Sequence, residues 1–323
     1  MTRSSPRVCV VGSVNMDLVV RTARLPIAGE TILGNAYKTY PGGKGANQAV
    51  AARRLGAEVA FVGSLGDDPH GQRVRAALEA EGLDLSGLAT RAGESTGLGM
   101  ITVADSGENM IVVAPGANAS LTPDDVTHAG EAIRSADVVL LQLEVPLACN
   151  AAAATIAHDA GKAVILNAAP ARQVPADLLR KVDVLVVNRG EGARLVGMDA
   201  HADPGRVALR LPELGPAIIV LTLGALGSIL IHRGRPRRFA APHVDAIDAT
   251  AAGDAFCGAL AAQWPPVAAA GPRTPDELRL TERAVVFASA AGALAATKAG
   301  AIPSLPKAAD VEPLAEKLLA GVG

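Results

Sequence analysis

Short apolar runs alternate with longer Ala- and Leu-rich stretches over most of the chain. From about residue 120, the runs VVLLQLE, AVILNA, VDVLVVN and AIIVLTLG are separated by segments such as AAAATIAHDAG. Continuous β-branched runs are typical of strands buried on both faces, and the segments between them are typical of helices. The alternation predicts an α/β fold with a doubly wound, mostly parallel sheet sandwiched by helices.

The N-terminal part has a different pattern. After a first apolar run at Val8 to Gly12, the stretches DLVVRTARL, TILGNAYKTY, GLGMITV and NMIVVAP alternate apolar and polar residues. Half-exposed antiparallel strands show this alternation. We expect a small β-sheet, built from about residues 16–40 and 96–114, to project as a lid from a single domain spanning 1–323. A second subunit could cover its apolar face, which predicts a homodimer.

Composition and charge narrow the range of functions. Half of the residues are hydrophobic but only 2% are aromatic, and the formal net charge is -2. The sequence therefore indicates neither aromatic residues on which nucleic-acid bases could stack nor a basic surface that could bind nucleic acid. The longest apolar run, Ala284 to Ala296, is shorter than a membrane span and predicts a buried helix. Because Met1 to Arg7 do not resemble a secretory signal, we expect a cytoplasmic protein without membrane partners.

Two further features of the sequence predict structure but indicate no function. The three cysteines are widely spaced and show no metal-binding pattern, so we expect Cys9, Cys149 and Cys257 to be small buried hydrophobic residues. The Pro- and Gly-rich stretch from Trp264 to Pro275 is predicted to be a surface loop between two helices.

Several predicted strands end in a single polar residue, namely Asn15, Glu144, Asn167, Asn188 and Thr222. Ligands of open α/β sheets lie outside the carboxyl ends of the strands, so these residues would surround one crevice. Asn and Thr also favour turns and helix N-caps whatever the function. Glu does not, and we therefore expect Glu144 to bind hydroxyl groups.

A glycine-rich turn precedes a helix in PGGKGANQAVAARRLG, Pro41 to Gly56. Such a turn presents free N–H donors and the positive end of the helix dipole to a ligand. It is not a phosphate P-loop, because Lys44 is followed by Gly45 rather than by Ser or Thr. The dinucleotide-binding pattern GxGxxG is also absent, since Gly12 stands alone after the first strand. A turn that only starts a helix is the alternative interpretation.

The segment DATAAGDAFCGAL, Asp248 to Leu260, combines small residues with a carboxylate. The backbone of Ala251, Ala252 and Gly253 could approach a ligand closely and form an anion hole for a phosphoryl group in transfer. Phosphoryl transfer to an alcohol also needs a carboxylate that accepts the hydroxyl proton. We expect Asp254 to be this base, although a first-turn carboxylate also stabilises a helix without catalysis.

Glu191 follows the strand-end residue Asn188 by three positions in NRGE. A carboxylate at this place could orient Mg²⁺ and its waters, since Mg²⁺ needs few protein ligands. The same spacing is that of a helix capping box, and the two interpretations are compatible.

Taken together and in order, GSVNMD, PGGKGANQA, NRGE, LTLGALG and DATAAGD resemble the ribokinase (PfkB) family of carbohydrate kinases over nearly the whole chain. GGKGANQA is similar to ribokinases rather than to adenosine kinases or fructokinases. The resemblance implies ATP-dependent phosphorylation of D-ribose at the 5-hydroxyl, giving ribose 5-phosphate and ADP. It also implies the family's β lid and dimer.

The resemblance further implies a set of site residues. Sugar contacts fall on Asn15, Asp17, Gly42, Gly43, Lys44, Gly45, Ala46, Asn47, Glu144 and Asp254. ATP contacts fall on Asn188, Thr222, Leu223, Gly224, Ala225, Leu226, Gly227, Gly253, Asp254 and Ser289, with Ala251, Ala252 and Gly253 as the anion hole. Glu191 would serve Mg²⁺ through water, and an activating K⁺ would lie at Asp248, Thr250, Ala295, Lys298, Gly300 and Ser304.

The sequence departs from the family pattern at two positions. Ala249 replaces the usual Thr of the DTxxAGD motif, which affects local hydrogen bonding. Ser289 stands where the family commonly has Asn or His near the adenine, which affects nucleotide contacts.

Two alternatives to ribose phosphorylation stay open. The same chemistry could act on 2-deoxyribose or a nucleoside, although the lid offers little beyond Tyr37 and Tyr40 to hold a base. A non-catalytic sugar-binding regulator could also keep the fold. The complete AAGD argues against the regulator.

Overall fold

The computed structural model describes residues 5–264 and 274–320. Its strands are β1 (Arg7–Val11), β2 (Asn15–Thr22), β3 (Ala36–Gly42), β4 (Glu58–Gly66), β5 (Asp84–Arg91), β6 (Gly97–Ala104), β7 (Asn109–Ala114), β8 (Val138–Gln142), β9 (Ala163–Asn167), β10 (Val184–Asn188), β11 (Ile218–Thr222), β12 (Ser228–His232) and β13 (Arg235–Phe239). Its α-helices are α1 (Lys44–Arg54), α2 (Pro69–Ala80), α3 (Pro123–His128), α4 (Gly130–Ser135), α5 (Leu147–Asp159), α6 (Ala176–Leu179), α7 (Arg189–Leu195), α8 (Pro204–Arg210), α9 (Ala252–Gln263), α10 (Pro275–Ala295) and α11 (Ala308–Ala320).

The large sheet has nine strands in the order β13-β12-β11-β10-β9-β8-β1-β4-β5. All neighbouring pairs from β11 to β5 are parallel, and β12 and β13 form an antiparallel extension at one edge. The chain winds from β1 to β4 and β5, and then returns past β1 to build β8 to β11. The predicted doubly wound α/β fold is confirmed, and the winding reverses between β1 and β8, where such folds bind ligands.

Helices cover both faces of this sheet. Alternate residues of β1 point to opposite layers, since Val8 and Val10 pack with α1, α2, α9, α10 and α11, whereas Cys9 and Val11 pack with α3 to α8. The layer around Cys9 and Val11 is built mainly from Ala, Val, Leu and Ile, whereas the other layer also contains most of the few aromatic residues, namely Phe61, Phe239, Phe256, Phe287 and Trp264. Burial on both faces explains why the central strands are continuous apolar runs.

The second sheet has four strands in the order β3-β2-β6-β7. The strands β2 and β6 are parallel, and the other two pairs are antiparallel. The expectation of antiparallel strands is therefore wrong for the β2–β6 pair. The physical reason is that β2 follows β1 and β6 follows β5 through short connections, and β1 and β5 run in the same direction in the large sheet.

Several smaller expectations can be compared with the structure. The apolar run at Ala284 to Ala296 coincides with the C-terminal half of α10 and is buried, as predicted. The three cysteines are unpaired and buried, also as predicted. Most of the stretch predicted to be a surface loop, Trp264 to Pro275, lies outside the described residues. Within residues 5–264 and 274–320, no helix is long and apolar enough to cross a membrane.

Candidate active site

The N-terminus of α1 lies against the turn between β1 and β2 because of its glycines. Gly43 is the N-cap and has a φ of 91°, a conformation that side chains disfavour. A methyl group added at Gly45 would lie 2.6 Å from the backbone nitrogen of Ser13. The turn therefore brings Lys44, Gly45, Ala46 and Asn47, in the first turn of α1, to the carboxyl end of β1.

Glu144 lies two residues beyond the end of β8 and faces this helix. Its Oε2 accepts hydrogen bonds from Ser13 Oγ at 2.5 Å and from the Lys44 backbone N–H at 3.0 Å. Ser13 Oγ in turn accepts the Gly45 N–H at 3.2 Å. The carboxylate thus lies at the positive end of the α1 dipole, which stabilises it. Sequence reasoning missed Ser13, although it is part of GSVNMD.

Asp17 on β2 is buried beside two glycines. Methyl groups added at Gly42 and Gly99 would lie 2.1 and 2.4 Å from its carboxylate oxygens. Burial and, to a smaller extent, the charges of Glu144 and Asp254 raise the pKa of Asp17 to about 7, while the charge of Lys44 opposes them. No donor among the described residues bonds this carboxylate, so it is an acceptor suited to ligand hydroxyls.

Asp254 lies in the first turn of α9 and is only 7% exposed. Its Oδ2 accepts Asn47 Nδ2 at 2.9 Å, and its Oδ1 accepts Gln48 Nε2 at 2.9 Å. Burial raises the pKa of Asp254, while the charge of Lys44 and the two amide donors oppose the increase. The structure therefore joins the glycine-rich helix α1 to the AAGD segment at one carboxylate.

Lys44 supplies positive charge among these acids. Burial lowers its pKa, but the charges of Asp254, Glu144 and Glu191 outweigh burial and raise the pKa overall. Its ammonium therefore stays protonated between the acceptor carboxylates and α7. Asn15 lies nearby, buried at the start of β2, where its Oδ1 accepts Asn118 Nδ2 at 2.8 Å.

The start of α9 forms a turn with free N–H donors. Ala251, its N-cap, has a left-handed conformation with φ 59°, and the Ala252 N–H is bonded to the Ala249 carbonyl at 3.2 Å. Within the described parts of the chain, no acceptor takes the N–H of Gly253 or Asp254. A methyl group added at Gly253 would meet open space. Among the described residues the Ala251 N–H has no acceptor either, so of the three residues predicted to form the anion hole only Ala252 has its N–H bonded.

A cavity of about 540 Å³ opens beside this turn. Six of the residues predicted to contact ATP line it, together with Val244, Phe256 and other mostly apolar residues; the six are Thr222, Gly224, Ala225, Gly227, Gly253 and Ser289. The structure does not place the other four, Asn188, Leu223, Leu226 and Asp254, in its wall, and the Leu226 side chain is 76% exposed. The Ser289 hydroxyl donates to the Val285 carbonyl at 2.9 Å.

Asn188 and Glu191 form the capping box of α7. Asn188 Oδ1 accepts the Glu191 N–H at 2.8 Å, and Glu191 Oε2 accepts the Asn188 N–H at 2.8 Å. Burial raises the pKa of Glu191, and the Asn188 N–H and Lys44 oppose the increase. One Glu191 oxygen is left for a ligand. In residues 5–264 and 274–320, no cluster of three or more His, Cys, Asp or Glu could hold a metal ion.

The predicted potassium residues are partly brought together. Asp248 Oδ1 accepts the Thr250 N–H and Oδ2 accepts the Gly300 N–H, each at 2.9 Å. Burial raises the pKa of Asp248, but these donors and the charge of Arg21 outweigh it and lower the pKa overall. The carboxylate therefore stays ionised beside a small cavity lined also by Asp17.

The remaining three predicted cation ligands are not in the wall of that cavity. The Ala295 carbonyl accepts the Lys298 N–H at 3.3 Å at the end of α10. The Ser304 hydroxyl is buried and donates to the Ala301 carbonyl at 2.8 Å.

Comparison with known proteins agrees with the family that the sequence motifs resemble. The family described as "pfkB family carbohydrate kinase" matches residues 5–308. The ribokinase of Haemophilus influenzae is 38% identical over 299 residues, covering 92% of this chain and 94% of that protein. The ribokinase of Bacillus subtilis is 36% identical and covers 95% and 98% of the two chains.

A solved structure shares the arrangement as well. The structure of Arabidopsis thaliana ribokinase complexed with ribose and ATP superposes with a TM-score of 0.83 at 33% identity, covering 97% of this chain and 99% of that one. With the family matched over nearly the whole sequence, this chain belongs to the pfkB family of carbohydrate kinases.

Proposed function

We propose that the chain transfers the γ-phosphoryl group of ATP to the 5-hydroxyl of D-ribose, giving ribose 5-phosphate and ADP. The observation that carries this proposal is the position of Asp254. It is a buried carboxylate held by α1, flanked on one side by the acceptor groups Asp17 and Glu144 and on the other by free N–H donors beside the cavity that Gly253 and Ser289 line. The ribokinase names of the relatives support the choice of ribose.

The acceptor side suits a small polyhydroxylated molecule. Asp17 and Glu144 offer carboxylate oxygens, and Asn15 and Asn47 add amide groups at the same end of the sheet. Paired carboxylate and amide groups recognise hydroxyls through charge-assisted hydrogen bonds. A second cavity of about 640 Å³, lined by Lys44, Glu144 and β7, adjoins this group and leaves room for the sugar to enter.

The chemistry proposed for Asp254 is general-base catalysis. The carboxylate accepts the proton of the 5-hydroxyl as that oxygen attacks the γ-phosphorus in line, and the bond from phosphorus to the departing ADP oxygen breaks. The N–H groups of Gly253 and Asp254 and the α9 dipole stabilise the negative charge on the transferring group. Lys44 neutralises charge on the acceptor side.

The residues present fit both expected cations. Glu191 would hold Mg²⁺ through water, because one of its oxygens is free and its burial, which raises its pKa, favours a nearby positive charge. When bound, Mg²⁺ would neutralise charge on the phosphates. Asp248, Thr250 and Gly300, which line the small cavity, would hold K⁺, whereas Ala295, Lys298 and Ser304 lie outside its wall and would at most support these residues. The ionised Asp248 carboxylate supports this choice.

We also propose that the four-stranded sheet is the lid and the dimer interface of a cytoplasmic enzyme. Asp17, Ile111 and Val113 lie on the sheet face that lines the acceptor cavities. The opposite face exposes apolar side chains in register across the sheet, namely Tyr37, Met100, Met110 and Val112. An apolar face of this kind is typical of a protein interface.

The proposal is tested with Asp254→Asn in a coupled ADP-release assay containing ATP, Mg²⁺ and K⁺. Turnover of D-ribose should fall by about 10²- to 10⁴-fold, because the amide cannot accept the proton, while ribose binding measured by calorimetry persists. Asp183→Asn is the matched control, since Asp183 is also 7% exposed but lies at the opposite end of the strands. Its turnover should match the wild type.

The same assay separates the alternatives. Wild-type turnover with 2-deoxyribose or adenosine but not with D-ribose would keep the Asp254 chemistry and overturn the substrate. Ribose binding without ADP release from any acceptor would favour a non-catalytic sugar-binding protein. Wild-type rates in Asp254→Asn would overturn the mechanism.

A further inference from the structure

The side chain of Gln48 connects Asp254 to two strand ends. Gln48 lies in α1 and is fully buried. Its Nε2 donates to Asp254 Oδ1 at 2.9 Å and to Asn167 Oδ1, at the end of β9, at 3.0 Å. Its Oε1 accepts Gln142 Nε2, at the end of β8, at 2.7 Å. All hydrogen-bonding groups of this amide therefore have partners.

These bonds allow the Gln48 amide only one orientation. If its oxygen and nitrogen exchanged places, the oxygen would face two acceptors and the nitrogen would face the Gln142 amide nitrogen. Gln142 is itself fully buried beside Gly12, and its Nε2 must face the Gln48 Oε1, although its own Oε1 has no partner among the described residues. Asp254 Oδ1 therefore faces an N–H group of Gln48 and not its carbonyl oxygen.

We propose that Gln48 is a positioning residue for phosphoryl transfer, which holds the Asp254 carboxylate in its ionised form and reactive orientation while Gln142 fixes the Gln48 amide. The inference rests on the proposed function of Asp254. Gln48 and Asn47 each occupy one lone pair on a different oxygen, so both oxygens are fixed and acceptor capacity remains for a hydroxyl proton. A donor to the charged form of an acid favours ionisation.

Other charges act on Asp254 and must be held constant in any test. The titratable groups that influence it electrostatically come from five elements of the structure; they are Asp17 on β2, Lys44 on α1, Glu144 after β8, Glu191 on α7 and Cys257 on α9. Replacing Gln48 by an uncharged residue leaves all of them in place.

The decisive variant is Gln48→Met, which keeps the length of the side chain and removes the amide. The pH dependence of kcat is measured with ribose and ATP saturating, because Asp17 is then already bound to sugar and its titration appears in kcat/KM instead. The acidic limb of kcat should move up by about one pH unit, as expected for one lost hydrogen bond to a charged group. At acidic pH turnover should fall about tenfold, and most of the loss should be recovered at alkaline pH.

Two further variants separate positioning from general damage. Gln72→Met, on the exposed side of α2, is the matched control and should leave the profile unchanged. Gln142→Met does not touch Asp254 but frees the Gln48 amide, so it should shift the limb in the same direction by a smaller amount. If Gln48→Met does not fold, Gln142→Met decides alone.

The outcomes are distinguishable. A loss of kcat that is equal at every pH, or an unshifted limb in both variants, would overturn the positioning role and leave the proposed function intact. Absence of turnover in the wild-type protein with every acceptor would overturn the proposed function and this inference with it.

Discussion

The acceptor side and the nucleotide side of this site are built in different ways. On the acceptor side, Asp17, Glu144 and Asp254 are carboxylates fixed by glycine contacts or by specific hydrogen bonds. The nucleotide cavity is lined mainly by small apolar residues and backbone, and its Ser289 hydroxyl is bonded to its own helix. In the proposed function, acceptor recognition would therefore depend on individual charged groups, and nucleotide recognition on shape and backbone.

Among effects on ligand binding and stability, this difference predicts the largest at Asp17. Asp17→Asn should weaken ribose binding by about 100-fold, because two charge-assisted hydrogen bonds to hydroxyls are lost. The same variant should be more stable than the wild type at pH 8 by up to about 4 kcal/mol, since it removes a buried charge whose pKa is raised from 3.8 to about 7. Calorimetry with ribose and thermal unfolding check the two parts.

The pH dependence of this effect has a definite sign. Because the folded pKa is raised, the ionisation of Asp17 disfavours folding as pH rises from the unfolded pKa of 3.8 to the folded value of about 7. Ribose binding, which needs the ionised form, should weaken as pH falls below about 7. In Asp17→Asn both dependences should disappear. A variant that lost stability at pH 8, or kept the wild-type pH profile, would contradict this account.

Two glycines of α9 test the comparison on the nucleotide side, because an added methyl group would have different surroundings at each of them. A methyl group at Gly253 meets open space, whereas one at Gly258 would lie 2.5 Å from the Ala51 side chain and 2.6 Å from the Gln48 carbonyl. Gly253→Ala should therefore leave stability unchanged but reduce kcat/KM for ATP by about 10- to 100-fold, because the methyl group occupies the turn with free N–H donors. Gly258→Ala should reduce stability by about 1 to 3 kcal/mol.

Thermal unfolding and ATP kinetics measured on both variants decide this pair. Equal losses of stability would contradict the view that Gly253 faces a ligand. Unchanged ATP kinetics in Gly253→Ala would place the transferring phosphoryl group elsewhere.

The smallest expected effect concerns Ala251. Its left-handed conformation is strained for any residue with a side chain, and Gly removes that strain. Ala251→Gly should raise stability by up to about 1 kcal/mol, part of the gain being offset by the greater freedom of Gly in the unfolded chain. Activity should change less than in Gly253→Ala. A loss of stability, seen as a lower midpoint of thermal unfolding, would show that the strain is compensated by contacts of the Ala251 methyl group.

Much of the acceptor side was predictable from sequence because its groups belong to short motifs. Glu144 was identified from its position after an apolar run and Asp254 from the AAGD segment, whereas Asn47 was expected from the resemblance of GGKGANQA to the ribokinase family. Gln48 and Ser13 were not, because their partners are distant in sequence and meet only after β8, β9 and α9 assemble around α1. A polar Gln within an Ala-rich buried helix was the available signal.

The nucleotide side was predictable only in position. The segment Thr222 to Gly227 was correctly expected near a strand end, but which of its residues face the cavity depends on the backbone path of the turn. The parallel pairing of β2 with β6 could likewise not be predicted from the alternation of apolar and polar residues, since that alternation is the same for either strand direction.

The close packing of α1 on α9 at Gly258 has a consequence for protein engineering. The helix that carries Lys44, Asn47 and Gln48 is packed closely at Gly258 on the helix that carries Gly253 and Asp254, and a methyl group added at Gly258 would meet its neighbours. Mutational libraries directed at this contact would lose stability before they changed the acceptor. Acceptor preference should instead be redesigned at β7, where Ile111 and Val113 face the cavity and have space to vary.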